Sequence, residues 1–180
     1  IGAGYVGRVT GTCFSEFGFD VTCVDVDESK IKALENGEIP IFEPGLDDLV
    51  ANNCKAGRLQ FSTSLADAVP GADLVFIAVG TPSRRGDGYA DLRYVYAAAK
   101  EVAQHLTGYT TVVTKSTVPV GTGQEVARIV AENAPAEAEG DVVSNPELLR
   151  EGAAVEELMR AARVVVAADR AGGRAQRGVG

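Results

Sequence analysis

A chain of 180 residues with 46% hydrophobic and 23% charged residues has the composition of a folded domain of ordinary size. Its net charge of −8 argues against a nucleic-acid partner, because such binding depends on the neutralisation of phosphates by Lys and Arg. No apolar run approaches the roughly 20 residues needed to span a bilayer, so we expect no membrane segment.

The predicted elements alternate between helices and strands from the first residues onward. Apolar and small residues recur at helical spacing over Tyr5–Phe17, and the β-branched run Val21–Asp27 is typical of a buried parallel strand. Asp27 can cap the helix that follows. The Pro-containing stretch Ile39–Leu46 predicts a loop that leads into another helix, which ends near Gly57.

The second part of the chain continues this alternation. Further strands, all short, are predicted at Leu59–Ser62, Leu74–Val79, Thr111–Lys115, Asp141–Ser144 and Arg163–Ala168. Helices are predicted at Asp91–Leu106 and Gly121–Ala134. The alternation predicts an α/β fold, a Rossmann-like doubly wound parallel sheet covered on both faces.

The two ends of the chain depart from a complete fold of this class. Only Ile1 stands where the first strand should be, although a strand of this kind needs about 5–6 residues. We therefore expect the first strand to be largely missing and the chain to be a fragment of a longer protein. The domain is predicted over residues 1–168, and the Gly/Arg-rich tail over residues 169–180 is predicted to be disordered.

The three cysteines, Cys13, Cys23 and Cys54, are an odd number and have no metal-ligand spacing. We predict that they are buried free thiols in a reducing, cytoplasmic environment and that the chain has no metal site.

A G-x-G-x-x-G pattern opens the chain, formed by Gly2, Gly4 and Gly7. A predicted helix and a predicted strand follow, and Asp25 lies 18 positions after Gly7, close to the roughly 20 expected of the acidic residue in a dinucleotide site. In such a site the first glycine permits the tight turn, the second lets the pyrophosphate approach the backbone, and the third lets helix and strand pack closely. The phosphates then bind the free N–H groups of the helix N-terminus. The alternative is a tight turn without a ligand.

Asp25 also favours one cofactor. A carboxylate can accept both hydroxyls of an adenosine ribose, whereas a 2′-phosphate would meet a like charge. Two unit charges about 4 Å apart repel by roughly 1 kcal/mol in water and about 4 kcal/mol at an effective dielectric constant of 20. NAD is therefore predicted rather than NADP. The alternative is an ordinary carboxylate at the end of a strand.

Six motifs, which follow one another along the chain, indicate the protein family more specifically: "GAGYVG", "VTCVDVDESK", "IPIFEPGL", "FIAVGTP", "TKSTVPVGT" and "SNPELLREG". Through them the chain from Ile1 to Ala168 resembles the UDP-glucose/GDP-mannose dehydrogenase family. The resemblance implies an NAD-binding N-terminal domain of an enzyme that oxidises the C6 alcohol of a nucleotide sugar to a carboxylate. Each cycle uses two NAD and a cysteine that holds the aldehyde-level intermediate. The resemblance favours UDP-glucose as the substrate, with GDP-mannose and UDP-N-acetylmannosamine as alternatives.

The resemblance also implies which residues form the site. Thr117 is expected to contact the cofactor and to help hold a water, through which Glu147 acts as acid/base on the substrate hydroxyl. The expected cofactor-binding residues are Gly2, Gly4, Tyr5, Val6, Gly7, Asp25, Lys30, Thr81, Thr117 and Glu151. The expected substrate-binding residues are Glu147, Leu148, Leu149, Arg150 and Glu151. A helical turn would place Glu147 and Glu151 on one face.

Simpler roles remain open for several of these residues. Lys30 can be an exposed helix lysine, Thr81 a turn residue, and the two glutamates part of a solvated acidic turn.

The family's catalytic cysteine lies in a C-terminal domain that has no counterpart in these 180 residues. The chain alone is therefore expected to be inactive, which makes a non-catalytic NAD-binding module the first alternative. A related β-hydroxyacid dehydrogenase, which shares the glycine turn, is the second. Family members pair through a central helix, so a homodimer is expected only for the full-length protein.

Overall fold

The computed structural model describes residues 1–39, 43–84, 88–145, 149–160 and 167–168. The chain divides into two compact units, one of residues 1–64 and 148–164 and the other of residues 65–147 and 165–180. The helices are α1 (Tyr5–Glu16), α2 (Glu28–Glu35), α3 (Leu46–Lys55), α4 (Leu65–Ala68), α5 (Arg93–His105), α6 (Thr122–Asn133) and α7 (Ala154–Met159). The strands are β1 (Val21–Val24), β2 (Leu59–Ser62), β3 (Leu74–Ile77), β4 (Tyr109–Thr114), β5 (Glu139–Ser144) and β6 (Ala167–Ala168).

In the first unit, a parallel pair of strands carries a helical layer. β1 and β2 run side by side with Cys23 opposite Phe61. Apolar residues four positions apart, Val9 and Cys13 on α1, point into a buried cluster with residues of α3, β2 and α7. Fully burying one such side chain stabilises the fold by about 1.5–3 kcal/mol. This packing fixes the N-terminus of α1 beside the carboxyl end of β1.

Gly11 is the point at which α1 lies directly on β1. A Cβ atom placed there would be 2.6 Å from Cys23 Sγ and 3.3 Å from Val21 Cγ1. The sequence pattern assigns the close approach of helix and strand to Gly7. The structure shows that Gly11, one turn later in the helix, is also needed for it.

Gly11→Ala is expected to lower the free energy of unfolding by about 1–2 kcal/mol, because overpacking outweighs the ~1 kcal/mol by which Ala favours a helix over Gly. In a Cys23→Ala background the same change should be neutral or stabilising, since the main clash is gone. Urea unfolding of the wild type, the two single variants and the double variant measures both effects. A destabilisation by Gly11→Ala that is equal in both backgrounds would contradict this packing.

In the second unit, three parallel strands form the sheet in the order β3-β4-β5, and β6 adds to its edge. Helix α5 buries one face, which includes Val95, Ala99 and Val102, and packs against α6. β6 runs antiparallel to β5, so an antiparallel edge strand replaces the parallel one that the alternation predicts.

The predicted fold class is confirmed, because helices and parallel strands alternate in the Rossmann-like manner. Among the described residues, β1-β2 and β3-β4-β5-β6 form two separate sheets. Gly2 still donates its N–H to the Val24 carbonyl at 2.7 Å, which places the start of the chain beside β1.

The boundaries differ from prediction where the sequence is ambiguous. The strand predicted as Val21–Asp27 ends at Val24, because Asp27 already accepts from the Ser29 and Lys30 N–H groups as the cap of α2. The short helices α4 and α7 were not predicted. Of the predicted strand Arg163–Ala168, residues 163–166 lie outside the described residues, as does the predicted tail over 169–180.

The prediction of buried thiols is correct for Cys13 and Cys23 and wrong for Cys54, which is exposed on α3. Burial raises the pKa of both Cys13 and Cys23 to about 11, so neither is a thiolate near neutral pH. Over the described part of the chain, no helix is long and apolar enough to cross a membrane, and no three acidic, His or Cys residues cluster as metal ligands.

Candidate cofactor site

The glycine turn leaves the N-terminus of α1 open. Gly2 has a φ of 93°, a backbone conformation that favours glycine, and it turns the chain from the edge of β1 into the helix. Gly4 is the N-cap and has no side chain to accept hydrogen bonds from the first turn, which Tyr5, Val6 and Gly7 begin. The N–H groups of a first helical turn have no acceptor within the helix. The turn is only half-buried, so these donors are available to a ligand.

Gly4 faces empty space. A Cβ atom added there would meet no atom within 4 Å, and its φ of −73° is accessible to any residue. Neither backbone conformation nor packing in the described structure requires glycine at this position. The space in front of the helix N-terminus, where the helix dipole favours an anion, is what a side chain would fill.

Asp25 holds this turn to the end of β1. Its buried carboxylate accepts the Ala3 N–H at 2.8 Å on Oδ2 and the Asp27 N–H at 3.1 Å on Oδ1. Lys30, on the first turn of α2, donates to Oδ2 at 2.8 Å. Gly2 to Gly7, Asp25 and Lys30 therefore lie together, as the sequence predicts of a dinucleotide site.

The electrostatics of Asp25 favour the ionised form. Burial would raise its pKa, but the hydrogen bonds from Lys30 and from the Asp27 and Ala3 N–H groups outweigh burial and lower the pKa. Two carboxylate oxygens offer about four acceptor positions, of which these contacts use three. The carboxylate therefore has room for one ribose hydroxyl rather than two.

These residues fit the dinucleotide that the sequence predicts. The open helix terminus suits a diphosphate, and Gly4 leaves the space it needs. Arg8 adds positive charge beneath the turn, where its Nε donates to the Gly4 carbonyl at 3.2 Å. A carboxylate that only accepts hydrogen bonds suits a free ribose hydroxyl better than a 2′-phosphate. The donor set thus fits NAD.

Glu43 is a residue of this unit that the sequence interpretation missed. The Glu43 carbonyl accepts the Leu46 N–H at 3.1 Å, and Gly45 has a φ of 79°, so "EPGL" forms a turn of the type II pattern that starts α3. Its buried carboxylate accepts the Tyr5 hydroxyl at 2.7 Å and the N–H groups of Gly152 and Val155 at 2.7 and 3.1 Å. The Pro-Gly turn before a predicted helix was the available signal, but the partners are distant in sequence.

The charge of Glu43 is stabilised in the fold. Burial would raise its pKa, but the Tyr5 hydroxyl and the N–H groups of Val155, Gly152 and Ala154 lower it on balance. The resulting contribution to stability is complete above the ordinary pKa range of a glutamate. It is lost as the pH falls through the lowered pKa.

The described residues of the predicted substrate segment differ in burial and in their contacts. Leu149 is half-buried and packs against the cluster of α1 and α3, so packing accounts for its apolar side chain. Arg150 is exposed and pairs with Glu157 of α7 at 2.8 Å. Glu151 is exposed in a turn before α7 rather than in a helix. Glu147 and Leu148 lie outside the described residues.

Thr81 and Thr117 belong to the second unit and are brought together there. The Thr81 hydroxyl donates to the Thr117 carbonyl at 3.1 Å, which ties the loops at the carboxyl ends of β3 and β4. Ser116 reinforces this link by donating from its hydroxyl to the Val79 carbonyl at 2.7 Å. Thr117 itself is exposed, so its hydroxyl is accessible.

A buried lysine supports the end of β5 in the same unit. Lys115 Nζ donates to Asn145 Oδ1 at 2.7 Å, and the Asn145 N–H donates to the Thr114 carbonyl at 3.0 Å. Asn145 immediately precedes the Pro146–Glu147 pair of the "SNPE" motif. Sequence interpretation did not single out Lys115, since a lysine after a strand is ordinarily an exposed residue.

The chain is similar to known proteins over nearly its whole length. Residues 1–176 match the UDP-glucose/GDP-mannose dehydrogenase family, NAD binding domain. The chain is 65% identical over 176 residues to a UDP-glucose 6-dehydrogenase of Rhizobium meliloti, and the match covers 98% of this chain and 40% of that protein. The chain thus spans well under half the length of such a relative.

Solved structures give the same result. A UDP-glucose dehydrogenase from Pyrobaculum islandicum is similar with a TM-score of 0.87 and 44% identity, over 93% of this chain and 39% of that one. A GDP-mannose dehydrogenase from Pseudomonas aeruginosa is similar with a TM-score of 0.86 and 35% identity, over the same shares of 93% and 39%. The similarity therefore covers the fold on which the candidate site is built.

Proposed function

The chain belongs to the UDP-glucose/GDP-mannose dehydrogenase family as its NAD-binding domain, and on that premise we propose that the protein containing it oxidises UDP-glucose to UDP-glucuronate. The observation that carries the proposal is the open N-terminus of α1 joined through the Ala3 N–H to the buried Asp25 carboxylate. This arrangement supplies donors for a diphosphate and an acceptor for a ribose next to each other.

The overall reaction is a four-electron oxidation at C6. Two hydrides leave the carbon, water supplies the second oxygen of the carboxylate, and three protons are released. NAD, when bound, accepts a hydride, and two are consumed for each sugar. Because a neutral alcohol is a poor hydride donor unless its proton also leaves, a positioned acid/base is required.

The chain's residues divide these tasks. The N–H groups from Gly4 to Gly7 bind the diphosphate, the carboxylate of Asp25 accepts a ribose hydroxyl, and Lys30 keeps that carboxylate ionised and in place. Tyr5 and Val6 contribute through their backbone, and Gly2 through the turn it permits.

In the second unit, Thr81 and Thr117 bind the cofactor. Thr81 acts as an acceptor, because its proton is already donated to the Thr117 carbonyl. Thr117 holds a water, through which Glu147 removes the proton of the C6 hydroxyl. Leu148 to Glu151 contact the substrate, with Glu151 also at the nicotinamide side.

Turnover tests the proposal directly. The protein containing this chain should form two NADH for each UDP-glucose consumed. We expect kcat/KM to be lower by at least about tenfold, or ~1.4 kcal/mol, with GDP-mannose or UDP-N-acetylmannosamine as substrate and with NADP as cofactor. The stoichiometry is measured from NADH absorbance and from product analysis.

Each other outcome assigns a different function. Preferred turnover of another nucleotide sugar would replace the substrate and keep the chemistry. NAD binding in calorimetry without turnover of any of the three sugars would favour a non-catalytic binding module. Absence of NAD binding would overturn the proposal altogether.

A further inference from the structure

Glu43 joins two segments that have different proposed ligands. Its Oε2 accepts both the hydroxyl of Tyr5, in the glycine turn, and the N–H of Gly152, which follows the substrate segment Leu149–Glu151. Both distances are 2.7 Å. We propose that Glu43 is a positioning residue that couples occupation of the glycine turn to the order of the substrate segment. This inference rests on the proposed function, because that function supplies the two ligands.

The chemistry of the contact requires a carboxylate. Glu43 is 4% exposed, and within the described residues its carboxylate accepts hydrogen bonds from three donors: the Tyr5 hydroxyl and the N–H groups of Gly152 and Val155. An ionised carboxylate accepts at both oxygens, whereas a glutamine presents an NH₂ group at one of them. Glutamine therefore preserves the volume of the side chain, but its NH₂ group faces another hydrogen-bond donor where the carboxylate oxygen accepted a hydrogen bond.

The geometry gives a direct route between the two segments. Tyr5 is the first residue of α1, so its backbone moves with the N–H groups that face the diphosphate. Its hydroxyl is shared between the two segments, since it donates to Glu43 and lies 3.4 Å from the Arg150 carbonyl. A shift of the turn on ligand binding is therefore transmitted to Gly152 through one shared oxygen atom. Coupling of this kind is reciprocal, so an ordered substrate segment also favours the occupied turn.

Amide hydrogen exchange measures the coupling without turnover. In the wild-type protein, saturating NAD should slow exchange of the Gly152 and Val155 amides by about tenfold, within the range of ordinary coupling between two sites. In Glu43→Gln the slowing should be less than about twofold. The Ala56 amide, which donates to Asn52 at the end of α3, serves as an internal reference.

Tyr5→Phe is the second variant and removes only a hydroxyl. It keeps the ring that packs against the cluster of α1 and α3, so its fold is expected to persist if Glu43→Gln proves unstable. It should lose the NAD-dependent slowing to the same extent as Glu43→Gln. Glu28→Gln is the matched control, since Glu28 is an exposed glutamate of α2 whose ion pair within the described residues is with Lys32, also exposed.

Steady-state kinetics supply a second readout. Glu43→Gln should raise KM for UDP-glucose by about tenfold while changing the Kd for NAD by less than about threefold, because the diphosphate donors themselves are retained. If Glu43 served stability alone, Glu43→Gln would lower the melting temperature and leave the KM for UDP-glucose unchanged.

The outcomes separate this inference from the proposed function. If NAD slows the two amides equally in Glu43→Gln and in the wild type, the coupling is overturned and the function stands. The same holds if NAD binds the wild type but leaves both amides unchanged. If the wild-type protein does not bind NAD at all, the function fails and the coupling fails with it.

Discussion

Gly4→Val should weaken NAD binding at least about a hundredfold without unfolding the protein. The change places a branched side chain in front of the N–H groups of the first turn of α1, where the described structure has no atom within 4 Å of the added Cβ. Each charge-assisted hydrogen bond to a phosphate is worth about 1.5–3 kcal/mol. Loss of two such bonds predicts a Kd for NAD that rises by at least about a hundredfold. Isothermal calorimetry with NAD measures the change.

Thermal unfolding without ligand is the control for this prediction. Because φ of Gly4 is −73° and no atom lies within 4 Å of an added Cβ, the main expected cost is the poorer capping by valine. The melting temperature should fall by no more than about 4 °C, which corresponds to ~1 kcal/mol in a domain of this size. Gly4→Ala should give an intermediate Kd. A stable Gly4→Val protein that binds NAD within about threefold of the wild type would remove the turn from the cofactor site.

The parts of the site that could be predicted from sequence are those with local causes. The turn at Gly2, the open cap at Gly4 and the cap at Asp27 depend on residues within a few positions of one another, and the structure has all three. The contact between Asp25 and the turn is longer in range, but the spacing of a βαβ unit fixes it. The sequence therefore predicts the neighbourhood of Asp25 correctly but not that the Ala3 N–H occupies part of its carboxylate.

The unpredicted parts depend on partners that are distant in sequence. Glu43 meets Gly152, 109 positions away, and Lys115 meets Asn145, 30 positions away. Neither partner can be read from the periodicity of one element. Helices α4 and α7, of four and six residues, were missed because they are too short to show helical periodicity. The clash that forbids a side chain at Gly11 exists only once α1 lies on β1.

Gly140 shows how strongly one such tertiary contact can constrain the fold. It lies in β5 opposite Thr110 of β4, where the two parallel strands pair. A Cβ atom at Gly140 would be 2.0 Å from the Thr110 carbonyl oxygen and 3.1 Å from its carbon. These are backbone atoms, so no side-chain rotation can relieve the contact. Thr110 is itself fully buried, and its hydroxyl donates to the Ala72 carbonyl at 2.8 Å.

Gly140→Ala is therefore expected to lower the free energy of unfolding by at least about 3 kcal/mol, the upper end of ordinary overpacking, because β4 also pairs with β3 and cannot move aside. Gly80→Ala is the matched control, since a Cβ there meets no atom within 4 Å and its φ is not positive. That variant should change the free energy of unfolding by no more than about 0.5 kcal/mol. Urea unfolding of both variants measures the difference. If Gly140→Ala is as stable as Gly80→Ala, then β5 does not approach β4 at this register, and the support that β5 gives to Asn145 is misassigned.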